Sequence, residues 1–218
     1  MGEVPAIYVV DDDASVREAL SNLFESVGLQ ASGFDSTEAF LQASRPDVPT
    51  CLVLDVRLPG VGGLDFQEQL ERLGVRIPIV FITAHGDIPM TARAMKAGAV
   101  EFLAKPFQKD DLLVAVYRAL DRDRALRIEE RDLAALRARF ETLTARERKV
   151  MRLVTTGMTN REVAARLGVA EITIKVHRRR AMRKMHAGSL AALVRMVDRL
   201  DRPSGSSPEL PRDTYTKG

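Results

Sequence analysis

The sequence predicts an α/β domain built on a doubly wound parallel sheet, followed by an all-α domain, and three observations carry that reading. Short apolar runs alternate with helically spaced segments in the first half, the second half has helical spacing throughout, and the charge changes sign between them. Residues 1–122 carry 11 Lys and Arg against 18 Asp and Glu, and residues 123–218 carry 22 against 12. A net charge of +3 therefore conceals an acidic half joined to a basic one. The length of 218 residues suits two small domains. No run approaches the roughly 18 apolar residues of a membrane span. The N-terminal MGEVPA lacks the pattern of a signal peptide or a myristoyl acceptor, and a single cysteine, Cys51, excludes an internal disulfide. The expectation is a cytoplasmic protein with no membrane partner.

Taken in order, strands are expected at residues 7–10, 30–34, 52–54, 79–82 and 100–103. After the first, Val16, Ala19, Leu20, Leu23, Phe24 and Val27 recur at helical spacing and Gly28 ends the helix. Strands alternating with helices call for right-handed crossovers, hence a parallel sheet covered on both faces. Ligands of such sheets gather at the carboxyl ends of the strands. Asp11, Asp12, Asp13, Asp55, Thr83 and Lys105 all fall at or just past the end of an apolar run. Residues 109–140 then read as continuous helix without Gly or Pro, with four adjoining charges at 121–124 as a candidate break. The expected plan is a first domain over 1–122, a helical linker over 123–140, a helical domain over 141–200 and a disordered Pro/Ser/Gly-rich tail over 201–218.

Carboxylates crowded at adjacent strand ends need a cation, and oxygen-only ligands point to Mg²⁺. With the charge so neutralised, Asp55 can act as a nucleophile toward a phosphoryl group. Lys105 would be the fixed cation opposite, Thr83 a hydroxyl donor to a phosphoryl oxygen, and Ala84 a residue small enough to leave the approach open. Singly, each has a plain structural reading: a helix cap, a strand threonine, a turn. Their joint order is far more specific. VVDDD, LDVRLPG, ITAHGD and FLAKPF resemble the receiver domain of bacterial two-component response regulators, across roughly residues 4–122.

That resemblance implies a five-stranded receiver in which Asp55 accepts a phosphoryl group from a sensor histidine kinase. It further implies that Asp12 binds Mg²⁺ directly beside Asp55, that Asp11 acts largely through water, and that the backbone carbonyl of Arg57 completes the protein ligands. Asp13 is left to cap the first helix. Thr83 and Phe102 resemble the family's switch pair, in which the aromatic ring turns inward when the hydroxyl moves to the phosphoryl group. Lys105 precedes Pro106, where the family often has a cis bond.

In the basic half, Thr144 with Glu147 and Thr159 with Glu162 have the spacing of capping boxes. The second opens a helix that Gly168 ends, and a new helix spans about residues 170–185, which is helix-turn-helix spacing. Ile174, Ala181 and Met185 share one face of it, while Lys175, Val176, Arg179, Arg180 and Arg183 spread over the opposite face. Residues 141–200 hold 14 Lys and Arg against 5 Asp and Glu, a density suited to a phosphate backbone. His177 is read as a packing residue at the edge of the core. LTARERKVM, TNREVAARLGVAEITIKVHRRRAMRKM and SLAALVRM resemble the LuxR-type DNA-binding domain. Together with the first half, nearly the whole chain is similar to the NarL/FixJ class of response regulators, closest to its FixJ-like branch. By position, Lys175, Val176 and Arg179 would face bases, and Thr173, His177 and Arg180 would lie toward phosphates or the packing surface.

The function expected is a DNA-binding transcription regulator, not an enzyme, that is switched by phosphoryl transfer to Asp55. Its implied partners are a sensor histidine kinase, double-stranded DNA, RNA polymerase and, once phosphorylated, a second copy of itself. An aspartyl-phosphate hydrolase is the contrasting class, but it would place a second acid two residues after Asp55, where this chain has Arg57. A regulator that binds DNA without phosphorylation would have no need of the intact pocket.

Overall fold

The computed structural model describes residues 3–84 and 86–202, so His85 and most of the expected tail lie outside the described residues. The chain divides after Ile128 into two compact units. Among the described residues no helix is long and apolar enough to cross a membrane.

The first unit runs β1 (Ala6–Val10), α1 (Ala14–Ser26), β2 (Gln30–Phe34), α2 (Thr37–Gln42), β3 (Thr50–Asp55), α3 (Gly63–Arg72), β4 (Ile79–Thr83), α4 (Ile88–Lys96), β5 (Glu101–Ala104) and the start of α5 (Lys109–Glu141). Its five strands form one sheet, parallel throughout, in the order β2-β1-β3-β4-β5. β3 and β4 are buried along their whole length, which is why their sequences are unbroken apolar runs and not alternations. Successive residues still point to opposite faces. Ile7, Val9, Cys51, Val53, Val80 and Ile82 pack with Phe24 of α1 and with Leu112 and Val116 of α5. Tyr8, Val10, Leu52, Leu54 and Phe81 pack with Phe40 of α2, Phe66 of α3 and Ala94 of α4. Cys51 is a free, buried core residue. The strand order reverses between β1 and β3, and such a switch point opens a crevice at the carboxyl ends of those two strands.

After residue 109 the expected continuous helix is present, the candidate break is absent, and the expected linker needs correction. The charges at 121–124 do not break the helix, because Asp123 turns inward: its carboxylate accepts hydrogen bonds from the Thr50 N–H at 2.8 Å and from Arg127 Nε at 2.6 Å. Arg127 also pairs with Asp47. Nor are residues 123–140 a separate linker. Asp123 and Arg127 belong to the first unit, while Leu133, Leu136 and Phe140 pack into the core of the second.

The second unit continues with α6 (Ala145–Thr155), α7 (Asn160–Leu167), α8 (Glu171–Lys184) and α9 (Leu190–Asp201). The helical period of the sequence becomes one core of Val150, Met151, Val154, Val163, Ile174, Ala181, Met185 and Leu193. Both capping boxes form, so the first turns of α6 and α7 are satisfied by their own side chains. Gly168 closes α7 at φ 64°, a left-handed conformation that lets the chain turn directly into α8. Asp201, expected in the tail, instead ends α9.

Candidate functional site

The strand register explains how residues 44 positions apart come together. Val10 pairs with Leu54, so Asp11, the first residue past β1, stands level with Asp55, the last residue of β3. Asp55 in turn pairs with Ile82, and Thr83 with Ala104, which brings Thr83 and Lys105 to the same edge of the sheet. Lys105 Nζ donates to Asp11 Oδ2 at 2.7 Å and to Asp55 Oδ2 at 2.8 Å, joining the two carboxylates through one ammonium. The second Asp55 oxygen accepts from the Arg57 N–H at 2.8 Å, and the second Asp11 oxygen from the Asp13 N–H at 2.9 Å. Asp11, Asp55 and Thr83 are buried, whereas Asp12, Arg57 and Ala84 are exposed at the rim. Asp13 caps α1 by accepting from the Ser15 N–H. The Lys105–Pro106 bond is cis.

Burial pushes the Asp11 carboxyl above its ordinary value against the pull of Lys105. Burial alone would lower the Lys105 ammonium, but the Asp11 and Asp55 carboxylates outweigh it and hold the lysine above its usual value. Two carboxylates sharing one protonated amine in a partly desolvated crevice make an anionic site with a fixed positive charge.

Thr83 lies next to the half-buried Phe102, whose ring packs on Phe81 at a centroid distance of 6.1 Å. Two glycines shape this neighbourhood, and sequence reasoning singled out neither. A Cβ on Gly63 would stand 2.3 Å from the Asp55 carbonyl oxygen and 3.0 Å from Val56 Cα. A Cβ on Gly86 would stand 2.7 Å from the Phe102 ring and 3.3 Å from the Thr83 methyl. The only local sign was their place in LPGVGG and AHGD, next to residues already selected.

A second surface lies on α8. Ile174, Ala181 and Met185 are buried, and Lys175, Val176, Arg179, Arg180 and Arg183 are exposed, with Thr173 half-buried in the first turn. Lys175 pairs with Glu171 at 3.0 Å, leaving Arg179 and Arg180 at the centre of the cationic surface. Arg178 donates to Asn160 Oδ1 at 3.2 Å and so ties the body of α8 to the start of α7. An open groove of about 310 Å³ is lined by Asn160, Lys175, Arg178, Arg179 and Met182. His177 is half-buried, and its Nδ1 has no hydrogen-bond partner among the described residues, which agrees with a packing role. Ile172 is strongly exposed on this helix and was not singled out.

One chain thus joins a carboxylate crevice on a 2-1-3-4-5 parallel sheet to a basic helix-turn-helix. A model of the response regulator receiver domain matches residues 7–117, and a model of the luxR family of bacterial regulatory proteins matches residues 141–197. The chain belongs to the two-component response regulators that couple a receiver domain to a LuxR-type DNA-binding domain; it is a DNA-binding transcriptional regulator, not a classical enzyme. Within that class it stands with the NarL/FixJ regulators on the FixJ side. It is 57% identical over 194 residues to Nodulation protein W of Bradyrhizobium diazoefficiens, covering 89% of this chain and 86% of that protein. It is 40% identical to the transcriptional regulatory protein FixJ of Rhizobium meliloti, covering 88% and 94%. Among solved structures, the response regulator StyR matches with a TM-score of 0.78 at 48% identity, covering 90% of this chain and 99% of that one. Full-length FixJ from B. japonicum matches with a TM-score of 0.54 at 36% identity, covering 92% and 98%.

Proposed function

We propose that Asp55 accepts a phosphoryl group from a sensor histidine kinase and that this modification controls the pairing of receiver domains and the binding of promoter DNA. The observation that carries the reading is the single ammonium of Lys105 shared by Asp55 and Asp11 at the switch point of the sheet. In the transfer, the bond between phosphorus and the donor nitrogen breaks as a bond from an Asp55 carboxylate oxygen to phosphorus forms. Lys105, already bonded to Asp55, would balance the negative charge that arrives, and the Arg57 N–H would orient the carboxylate from its other oxygen. Thr83 supplies a hydroxyl for a phosphoryl oxygen, and exposed Ala84 leaves the approach clear.

The donor chemistry fits Mg²⁺. Two buried carboxylates, Asp11 and Asp55, converge beside the exposed Asp12. That is the sparse carboxylate set a hydrated Mg²⁺ accepts. Asp11, Asp12, Asp55 and the Arg57 carbonyl would hold it. When bound it neutralises charge on the transferring group.

Movement of Thr83 toward a phosphoryl oxygen would leave space that the Phe102 ring can fill, altering the surface around β5. On that side Met95, Val114 and Tyr117 are exposed apolar residues, and Glu101 lies 3.8 Å from Arg118. Met90, Lys96 and Glu101 add an apolar contact and both signs of charge, the makings of a self-complementary two-fold interface. Two α8 helices then read paired half-sites, and contact with RNA polymerase follows at the promoter. Mass mapping after incubation with a small-molecule phosphodonor and Mg²⁺ tests the first step. The expected result is modification at Asp55 that a chelator prevents; undiminished labelling of Asp55→Asn would overturn it.

A further inference from the structure

We propose that Ile172, together with Val176, reads thymine 5-methyl groups in the major groove, making Ile172 a specificity-determining residue of the DNA-binding domain. The inference rests on the reading above that α8 is the groove-entering helix. It starts from a contrast in burial. Among the described residues from 129 to 202, the large apolar side chains that stand exposed are Ile172, at 66%, and Val176, at 41%. Both lie in the first half of α8, one turn apart.

Their direction is as telling as their exposure. At about 100° per residue, Ile172, Val176 and Arg183 project within about 20° of the line opposite the buried Ile174, Ala181 and Met185, and Arg179 within about 40°. Lys175, Arg180 and Thr173 flank that line at wider angles. The outermost ridge of the helix is therefore apolar toward its N-terminal end and cationic toward its C-terminal end. N-terminal residues of a recognition helix contact base edges. There, thymine alone offers a methyl group, and apolar side chains are its usual contacts. The surrounding Lys175, Arg179, Arg180 and Arg183 give this ridge a charge that suits a polyanion and opposes a purely apolar protein partner.

The test uses the full-length protein and the duplexes it enriches from a random double-stranded library. Each thymidine of an enriched half-site is replaced in turn by deoxyuridine, which removes only the methyl group. At one or more positions the wild-type protein should lose about fourfold in affinity per methyl, the scale of one buried methyl group. Ile172→Ala should bind the thymidine and deoxyuridine duplexes equally at that position, and Ile172→Val should restore part of the difference. Equal wild-type affinity for every deoxyuridine duplex would overturn the inference while leaving sequence-selective DNA binding intact. A deoxyuridine penalty of the same size in Ile172→Ala and wild type at every sensitive position would also overturn it. Failure to enrich any sequence would overturn both this inference and the reading on which it rests.

Discussion

At the scale of single residues, what the first unit needs most is room. Asp11, Asp55, Thr83 and Lys105 were legible in the sequence because each ends an apolar run, and the strand register sets them at one edge of the sheet. Gly63 was not legible, because its importance lies in an absent side chain. A Cβ there would meet the Asp55 carbonyl and Val56 Cα, both backbone atoms that cannot swing away. Gly63→Ala should therefore displace the end of β3, costing about 1–3 kcal/mol as an overpacked site. Measured by denaturant unfolding and by the rate of Asp55 labelling, the variant should be both less stable and slower to react. Gly86 is the milder case, since a Phe102 ring can rotate out of the way. Ile172 escaped the sequence reading although its spacing from Ile174 already sets it opposite the core face; what the fold adds is its strong exposure.

At the scale of elements, caps and periodicity were the strongest signals, and the second unit follows them closely. The capping box that opens α6 does more than satisfy backbone donors. Glu147 is buried and also receives Lys184 Nζ at 2.7 Å, which fastens the start of α6 to the end of α8. Burial pushes its carboxyl up, but Lys184 and the Thr144 N–H outweigh that and hold it below the usual carboxylate value. A carboxyl lowered by folding contributes stability above its unfolded value of about 4.3 and loses it as pH falls through the folded value. Hydrogen exchange of α6 amides in the full chain should therefore show Glu147→Gln weakened by about 1–3 kcal/mol at neutral pH. The gap from wild type should close as the pH falls below the carboxylate range. The continuous helix expected over 109–140 is α5, but the open question of a break at its centre needed the fold. Four charges at 121–124 look like a break, and the partners of Asp123, the Thr50 N–H across the fold and Arg127 one turn along the same helix, show why the helix continues.

At the scale of the whole molecule, two-part organisation was readable from the reversal of charge, but the unit boundary was not, because one helix contributes to both cores. Pairing of receivers through α4, β5 and α5 would draw on exposed Met95, Val114 and Tyr117, with Glu101 and Arg118 setting register. Exposed ion pairs contribute only about 0–1 kcal/mol each, so the apolar contacts should dominate. Val114→Glu should weaken the phosphorylated dimer by about tenfold or more, equivalent to about 1.4 kcal/mol, in sedimentation of the full chain with beryllofluoride. Whether a phosphoryl group on Asp55 governs DNA binding is decided by one titration. Affinity for an enriched duplex is measured for the full-length protein before and after phosphorylation, with Asp55→Asn treated in parallel. Phosphorylation should tighten binding by the wild type alone by roughly tenfold or more, about 1.4 kcal/mol; equal affinity in both states, or the same gain in Asp55→Asn, would rule out control by Asp55.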